Sequence, residues 1–299
     1  MKKKLAYLLI GTLSVSMLAG CGKKENKSAS KAKDSDKKQE APAITLKDLI
    51  KNMNDAAKGY DSLALKLEAN AEGVASAGSV EYGLNGSVKG NLDIDLKSFE
   101  FSGDGKVKYS LDLSGNSISG DKSAEFYAEK DGDDLKAYIG MDGDWTSDTI
   151  TQDDIQNMLE QYTKALDTDT LEENFDKMKD LYTFDSKTEE VNDKDCYVIG
   201  LDLNKDQLKD IIKNVDLPEE AGDVDVDSIL NVIDQSVKDF SIKMKEYVEV
   251  DTYYPVKYEL TLSGKGQSGE TKVEVDNISV SADIDVNKAD VKAVPKEAK

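Results

Sequence analysis

Residues 62–71, SLALKLEANA, place an aliphatic side chain at every second position: Leu63, Leu65, Leu67, Ala69 and Ala71 alternate with Ala64, Lys66, Glu68 and Asn70. A period of two belongs to a strand with one face buried and one face wet. The same alternation returns at Leu92, Ile94 and Leu96, at Val107, Tyr109, Leu111 and Leu113, and at Leu135, Ala137, Ile139 and Met141. Gly, Asp, Asn or Ser bound each run, as in an antiparallel meander. Three further strands close the chain, through Phe240, Ile242 and Met244, through Val256, Tyr258, Leu260 and Leu262, and through Val273 to Ile284. The last changes parity at Asp276-Asn277, which predicts a β-bulge.

Helical periods flank and interrupt the strands. Thr45 with Asp48 makes a capping box for a helix bearing Leu46, Leu49, Ile50, Met53 and Ala57, ended by Gly59. Thr151 with Asp154 and Thr170 with Glu173 predict two more, followed by a strand at Tyr197, Ile199, Leu201 and Leu203. Asn204 with Gln207 opens a helix with Leu208, Ile211, Ile212 and Val215, and another aligns Ile229, Leu230, Ile233 and Val237. No polar linker separates helices from strands, so the expectation is one α+β domain over residues 44–286, a large curved antiparallel sheet with several helices on its concave face. After Asn287 only a charged C-terminal tail, 287–299, is expected.

The chain opens differently. Lys2, Lys3 and Lys4 precede an apolar run from Leu5 to Met17 that is too short to span a bilayer, the pattern of an export signal over residues 1–20. It ends in Leu18-Ala19-Gly20-Cys21, which resembles the bacterial lipobox. That resemblance implies cleavage after Gly20, an S-diacylglycerol on Cys21, N-acylation of its amine and a membrane anchor on the extracytoplasmic face. Residues 22–43 lack any apolar period and read as a disordered basic tether, with an r.m.s. reach of roughly 25 Å. Seven lysines against four acids give residues 22–40 a net charge of +3, whereas residues 41–299 carry 29 lysines against 56 acids, a net of −27. Such a domain repels nucleic acid. It suits either a soluble surface or contact with cationic or calcium-bridged cell-wall components.

No histidine or arginine occurs anywhere in the sequence. Ser/His/Asp triads, Cys/His pairs, His-ligated metals and arginine phosphate forks are therefore excluded. Catalytic, cofactor-binding and metal sites are not expected. With Cys21 acylated, Cys196 has no disulfide partner and reads as a half-buried strand residue. Asp223, Asp225 and Asp227 begin like a calcium loop with Asp234 at position twelve, but Ser228 stands where glycine is wanted and Asp234 where a bidentate glutamate is wanted. Helix capping by Asp227 explains the same residues. Gly103-Asp104-Gly105, Asp131-Gly132-Asp133 and Asp142-Gly143-Asp144 read as hairpin turns. Trp145 and Tyr253-Tyr254 read as packing residues beside turns.

Four segments carry a wider resemblance: LKDLIKNMNDAAKGYDSLALKLEA (46–69), DLKAYIGMDGDWTSD (134–148), DKDCYVIGLDLN (193–204) and VDTYYPVKYELTLSG (250–264). With Tyr138, Gly143, Trp145 and Pro255 at the family's positions, the chain resembles the LolA-like and LppX/LprG-like bacterial lipoproteins, and more closely the LolA-related lipoproteins of Gram-positive bacteria. Basicity carried by lysine alone, as in a low-GC genome, points the same way. The resemblance implies a half-barrel plugged by helices and, in some members, lipid held between the two layers. It makes the expected function that of an anchored, non-enzymatic lipoprotein, with a lipid or other apolar small molecule as ligand.

Overall fold

A computed structural model describes residues 44–156, 181–214 and 226–299. Helix α1 (Leu46–Ala57) begins where its capping box predicts: Thr45 Oγ1 accepts from the Asp48 amide at 3.1 Å and donates to the Asp48 carboxylate at 2.6 Å. Eleven strands then form one antiparallel sheet: β1 (Ser62–Ala77), β2 (Val80–Asp95), β3 (Phe101–Leu113), β4 (Asn116–Asp131), β5 (Asp134–Met141), β6 (Asp144–Ile150), β7 (Tyr182–Val191), β8 (Lys194–Asn204), β9 (Val237–Glu249), β10 (Pro255–Ser268) and β11 (Thr271–Val286). Their spatial order, β6-β5-β4-β3-β2-β1-β11-β10-β9-β8-β7, is two meanders joined at β1 and β11. The sheet is curved and open, because its outermost strands β6 and β7 do not pair with each other.

Helices α2 (Lys205–Asn214) and α3 (Val226–Ser236) lie between β8 and β9 in the chain. Asn204 caps α2 as expected, its Oδ1 accepting from the Gln207 amide at 3.0 Å while Gln207 returns the bond to the Asn204 amide at 2.9 Å. Residues 152–156 are helical, with the Thr151–Asp154 box formed. The rest of that helix, and the one expected after Thr170, lie outside the described residues. Val237 was expected to continue α3 and instead opens β9.

Several hairpins turn on two residues with positive φ, Ser114-Gly115, Asp142-Gly143 and Asn192-Asp193, whose twist matches that of the flanking strands. The expected bulge is present: Asn277 pairs with Glu72 and Val275 with Gly73, leaving Asp276 unpaired with β1. Gly103-Asp104-Gly105, read as a turn, lies inside β3 instead. Gly103 pairs with Phe126 on β4, and a Cβ at Gly103 would overlap the Phe126 ring. Glycine is needed there for close approach, not for a turn.

The register assigns every side chain to one of two faces. One face carries Leu63 and Leu65 of β1, Leu92 and Ile94 of β2, Ala282 and Ile284 of β11, and Tyr258 of β10 in one buried cluster. On its β8–β9 side, Leu49 and Met53 of α1 seal Tyr197, Ile199 and Val248. The opposite face is polar apart from a buried cluster of Cys196, Tyr247 and Val256 and another around Tyr127 and Tyr138, and it is crossed by residues 287–299, expected as a charged tail. Asn287 Oδ1 accepts from the Asp61 amide at 2.6 Å, and its Nδ2 donates to Gly59 O at 3.0 Å. Farther on, the Lys292 amide donates to Ser102 Oγ at 2.8 Å, Val294 is buried against Tyr127 and Tyr138, and Lys299 pairs with Glu129 at 2.7 Å. The segment is a strap across β1 to β5.

One ionisable side chain interrupts the buried apolar face. Glu246 of β9 is 3% exposed, lies between Tyr258 of β10 and Ile199 of β8, and has no hydrogen-bond partner for Oε2. Desolvation alone pushes its carboxyl up from 4.5 to about 7. A carboxyl with a folded value above its unfolded value stabilises fully below pH 4.5, and that contribution is lost as pH rises through 7.

Two outcomes test this packing. Gly103→Val, which must displace the Phe126 ring, should cost about 1–3 kcal/mol in denaturant unfolding. Gly105→Ala, whose Cβ meets nothing nearer than Lys89 O at 3.7 Å, should be tolerated. Glu246→Gln should flatten the pH dependence of unfolding between pH 4.5 and 7, because the loss of about 3 kcal/mol that the wild type suffers across that window is absent from the variant.

Candidate functional site

Alternation along β2 continues well beyond the buried cluster. Val80, Tyr82, Leu84 and Val88 share the face of Leu92 and Ile94, while Glu81, Asn85, Ser87 and Lys89 point the other way. The cross-strand neighbours keep the pattern: Leu84 faces Leu111 and then Ile118, Val88 faces Val107, and Ala75 faces Tyr82 on one side and Val273 on the other. These positions are apolar by design but uncovered, with Leu84 at 53% and Ile118 at 55% exposure. Tyr109 lies over Gly120, where a Cβ would come within 2.7 Å of its hydroxyl. The apolar face thus has a covered part beneath α1 and an open part toward the β1–β2 hairpin. Exposed apolar surface of this kind makes the open part a candidate interaction surface.

Glu246 belongs to the covered part, close to its border. Its row runs through Tyr258, Ala282, Leu67 and Gly90, and the next inward row contains Leu260, Val280, Ala69 and the exposed Val88. Tyr60, just after α1, is half-buried, with its hydroxyl buried and without a partner. Burial first, then Glu246 and Tyr254, hold the Tyr60 phenol far above its ordinary value. Burial and the same carboxyl push Tyr258 up to about 12 and raise Tyr182. The ring of Tyr254 packs edge-on to Tyr60 at 5.2 Å. A carboxyl and four phenols therefore gather at one place on an otherwise apolar face.

The polar face holds a cavity of ≈ 740 Å³ between the sheet, the β7–β8 turn and the strap. Its lining includes Lys66, Lys194, Lys288 and Lys292 against Asp93, Asp104, Glu125, Asp283 and Asp285. Each of those carboxylates already accepts a hydrogen bond from within the protein: from the Asp290 amide, Asn91, Tyr127, Asn192 and Lys288 respectively. The carboxylates of the cavity are satisfied, whereas the apolar face carries the two orphaned groups found among the described residues. A buried polar group without a partner costs about 1–3 kcal/mol, so the orphaned pair is the better mark of function.

Other expected site residues fare differently. Cys21, Asp223 and Asp225 lie outside the described residues. Asp227 is in the first turn of α3, which starts at Val226, so it favours the helix dipole from inside the helix. Asp234 is committed to Lys209 at 2.6 Å and Lys205 at 3.7 Å, and the Lys209 bond lowers its carboxyl. Among the described residues no group of three or more acids or cysteines is placed to hold a metal, and no helix is long and apolar enough to cross a membrane. Cys196 is fully buried rather than half-buried, its thiol pushed up to about 11 by burial first and then by Glu249. Trp145 packs on Tyr127 at 5.9 Å and Tyr253 joins the cluster under α1, as packing residues should.

Comparison with curated proteins gives no match. Among solved structures, the chain is similar to a β-barrel-like protein of domain of unknown function DUF1849 from Brucella abortus, at 9% identity and a TM-score of 0.23, over 75% of this chain and 98% of that one. It is also similar to the translocator domain of the autotransporter NalP from Neisseria meningitidis, at 9% identity and a TM-score of 0.22, over 76% and 91% of the two chains. Likenesses at such TM-scores bear no weight for fold or function. The model of a family of unknown function, DUF6612, matches residues 45–299, from the cap of α1 to the end of the strap. The chain belongs to the DUF6612 family.

Proposed function

We propose that the protein is a non-enzymatic lipoprotein, anchored on the extracytoplasmic face of the membrane through Cys21, that holds a lipid or other apolar molecule against the open part of its sheet. The observation that carries this reading is the continuation of the buried face into exposed Val80, Tyr82, Leu84, Val88, Tyr109, Ile118 and Val273. Strand alternation maintained over that distance pays no folding dividend unless something covers it. The LolA-like segments and the Leu18–Cys21 lipobox support the same function. An acyl chain of about sixteen carbons laid with one side on the sheet gains about 6 kcal/mol, from which association costs must be subtracted. Apolar contact alone therefore gives weak binding, and polar contacts must add to it.

Two experiments test this function. Palmitate labelling of the full chain in a bacterial host should mark the wild type and leave Cys21→Ser unlabelled and released from the membrane fraction. Label retained by Cys21→Ser would remove the anchor. Chain from residue 21 onward carrying Cys21→Ser should bind the apolar fluorophore N-phenyl-1-naphthylamine. Leu84→Asp should weaken that binding about tenfold or more, while Ser87→Asp on the polar face leaves it unchanged. Equal effects from the two substitutions would contradict binding on this face.

A further inference from the structure

Resting on that function, we infer that Glu246 and Tyr60 form the polar end of the ligand site and select an apolar chain that terminates in a neutral hydroxyl, as a monoacylglycerol or long-chain alcohol does. Glu246 and the hydroxyl of half-buried Tyr60 lie at the covered end of an apolar face whose other end is open. Neither the Tyr60 hydroxyl nor Glu246 Oε2 has a hydrogen-bond partner, and Tyr60 packs against the cluster that contains Tyr258, the residue paired with Glu246 across β9 and β10. A carboxyl oxygen and a phenol that fail to reach one another are joined by any group that both donates and accepts. A hydroxyl does so, donating to Glu246 Oε2 and accepting from Tyr60.

The surroundings decide against charged ligands. The titratable groups facing Glu246 are Tyr258 of β10, Tyr182 of β7 and Tyr60 after α1, with Tyr254 beside Tyr60. No lysine contributes to the Glu246 environment, whose shift has burial as its only cause. A fatty-acid carboxylate would meet a carboxyl and four phenols with no counter-charge. An alkylammonium would find one carboxyl, itself driven toward its neutral form by burial, to set against the loss of hydration in an apolar setting. A neutral hydroxyl carries neither cost, and it remains compatible with Glu246 in either protonation state, since it accepts from the acid and donates to the carboxylate.

The test is competition for N-phenyl-1-naphthylamine on the Cys21→Ser chain from residue 21, with 1-monooleoylglycerol, oleate and oleylamine as competitors of one chain length. Monooleoylglycerol should displace the fluorophore at about tenfold lower concentration than oleate or oleylamine. In Glu246→Leu that ratio should fall to within about twofold. Tyr60→Phe, which removes only the hydroxyl, should lower it severalfold and serves where Glu246→Leu does not fold. Oleate or oleylamine competing as well as monooleoylglycerol, or a preference that survives both substitutions, would overturn the assignment of this pair while leaving the apolar site standing. Failure of the fluorophore to bind the wild type would instead sink the apolar site itself, and this assignment with it.

Discussion

Pairing of β1 with β11 holds the two halves of the chain in one sheet. Residues 62–77 lie against 271–286, so the first strand and the last are neighbours at the centre, and each meander grows outward from that seam. Because side chains alternate with a period of two, this one register decides which face every other strand presents. The bulge at Asp276 shifts the parity of β11 so that Val273 and Val275 stay on the apolar face with Ile278, Val280 and Ala282. Without it, the half of β11 next to the β10–β11 turn would expose its valines to the polar side. Asn287 secures the end of the seam by bonding backbone on both sides of Tyr60.

The sequence was most legible where alternation is pure. β1, β5, β8 and β10 read directly from Leu, Ile, Ala, Val and Tyr at every second place, and α1, α2 and the turn after Thr151 from their capping boxes. It was least legible where the apolar face needs space. β4 places Gly120 and Lys122 on that face, and β3 places Gly103 and Gly105 there, so turn-like composition hid long strands. β7, an outermost strand rich in Thr, Lys and Glu, gave no pattern either. Lysine-rich residues 287–299 read as a tail because their hold on the sheet is made largely by backbone amides, which composition does not reveal.

Of the candidate site, the open apolar face could have been read from β2, where Val80, Tyr82, Leu84 and Val88 keep step with Leu92 and Ile94. Glu246 had a signal too. The inward run Phe240, Ile242, Met244 continues through 246 to Val248, which makes a carboxylate the one polar residue in an apolar register. Tyr60 had none, because it follows the Gly59 helix stop and its burial depends on packing from Tyr254, far away in the chain. Local periodicity encodes the face a residue occupies; what stands opposite it is encoded only by the whole topology.

The central seam also constrains when the protein can fold. Its two strands are separated by nearly the full length of the domain, and contacts that distant form slowly because the intervening loop must close first. A chain emerging from its amino end can build the β1-to-β6 meander, but the edge of β1 that belongs to β11 stays bare until the last strand has been made. Late completion follows from the topology alone: whatever the first meander buries as it forms, the seam closes only once the β11 segment has joined it.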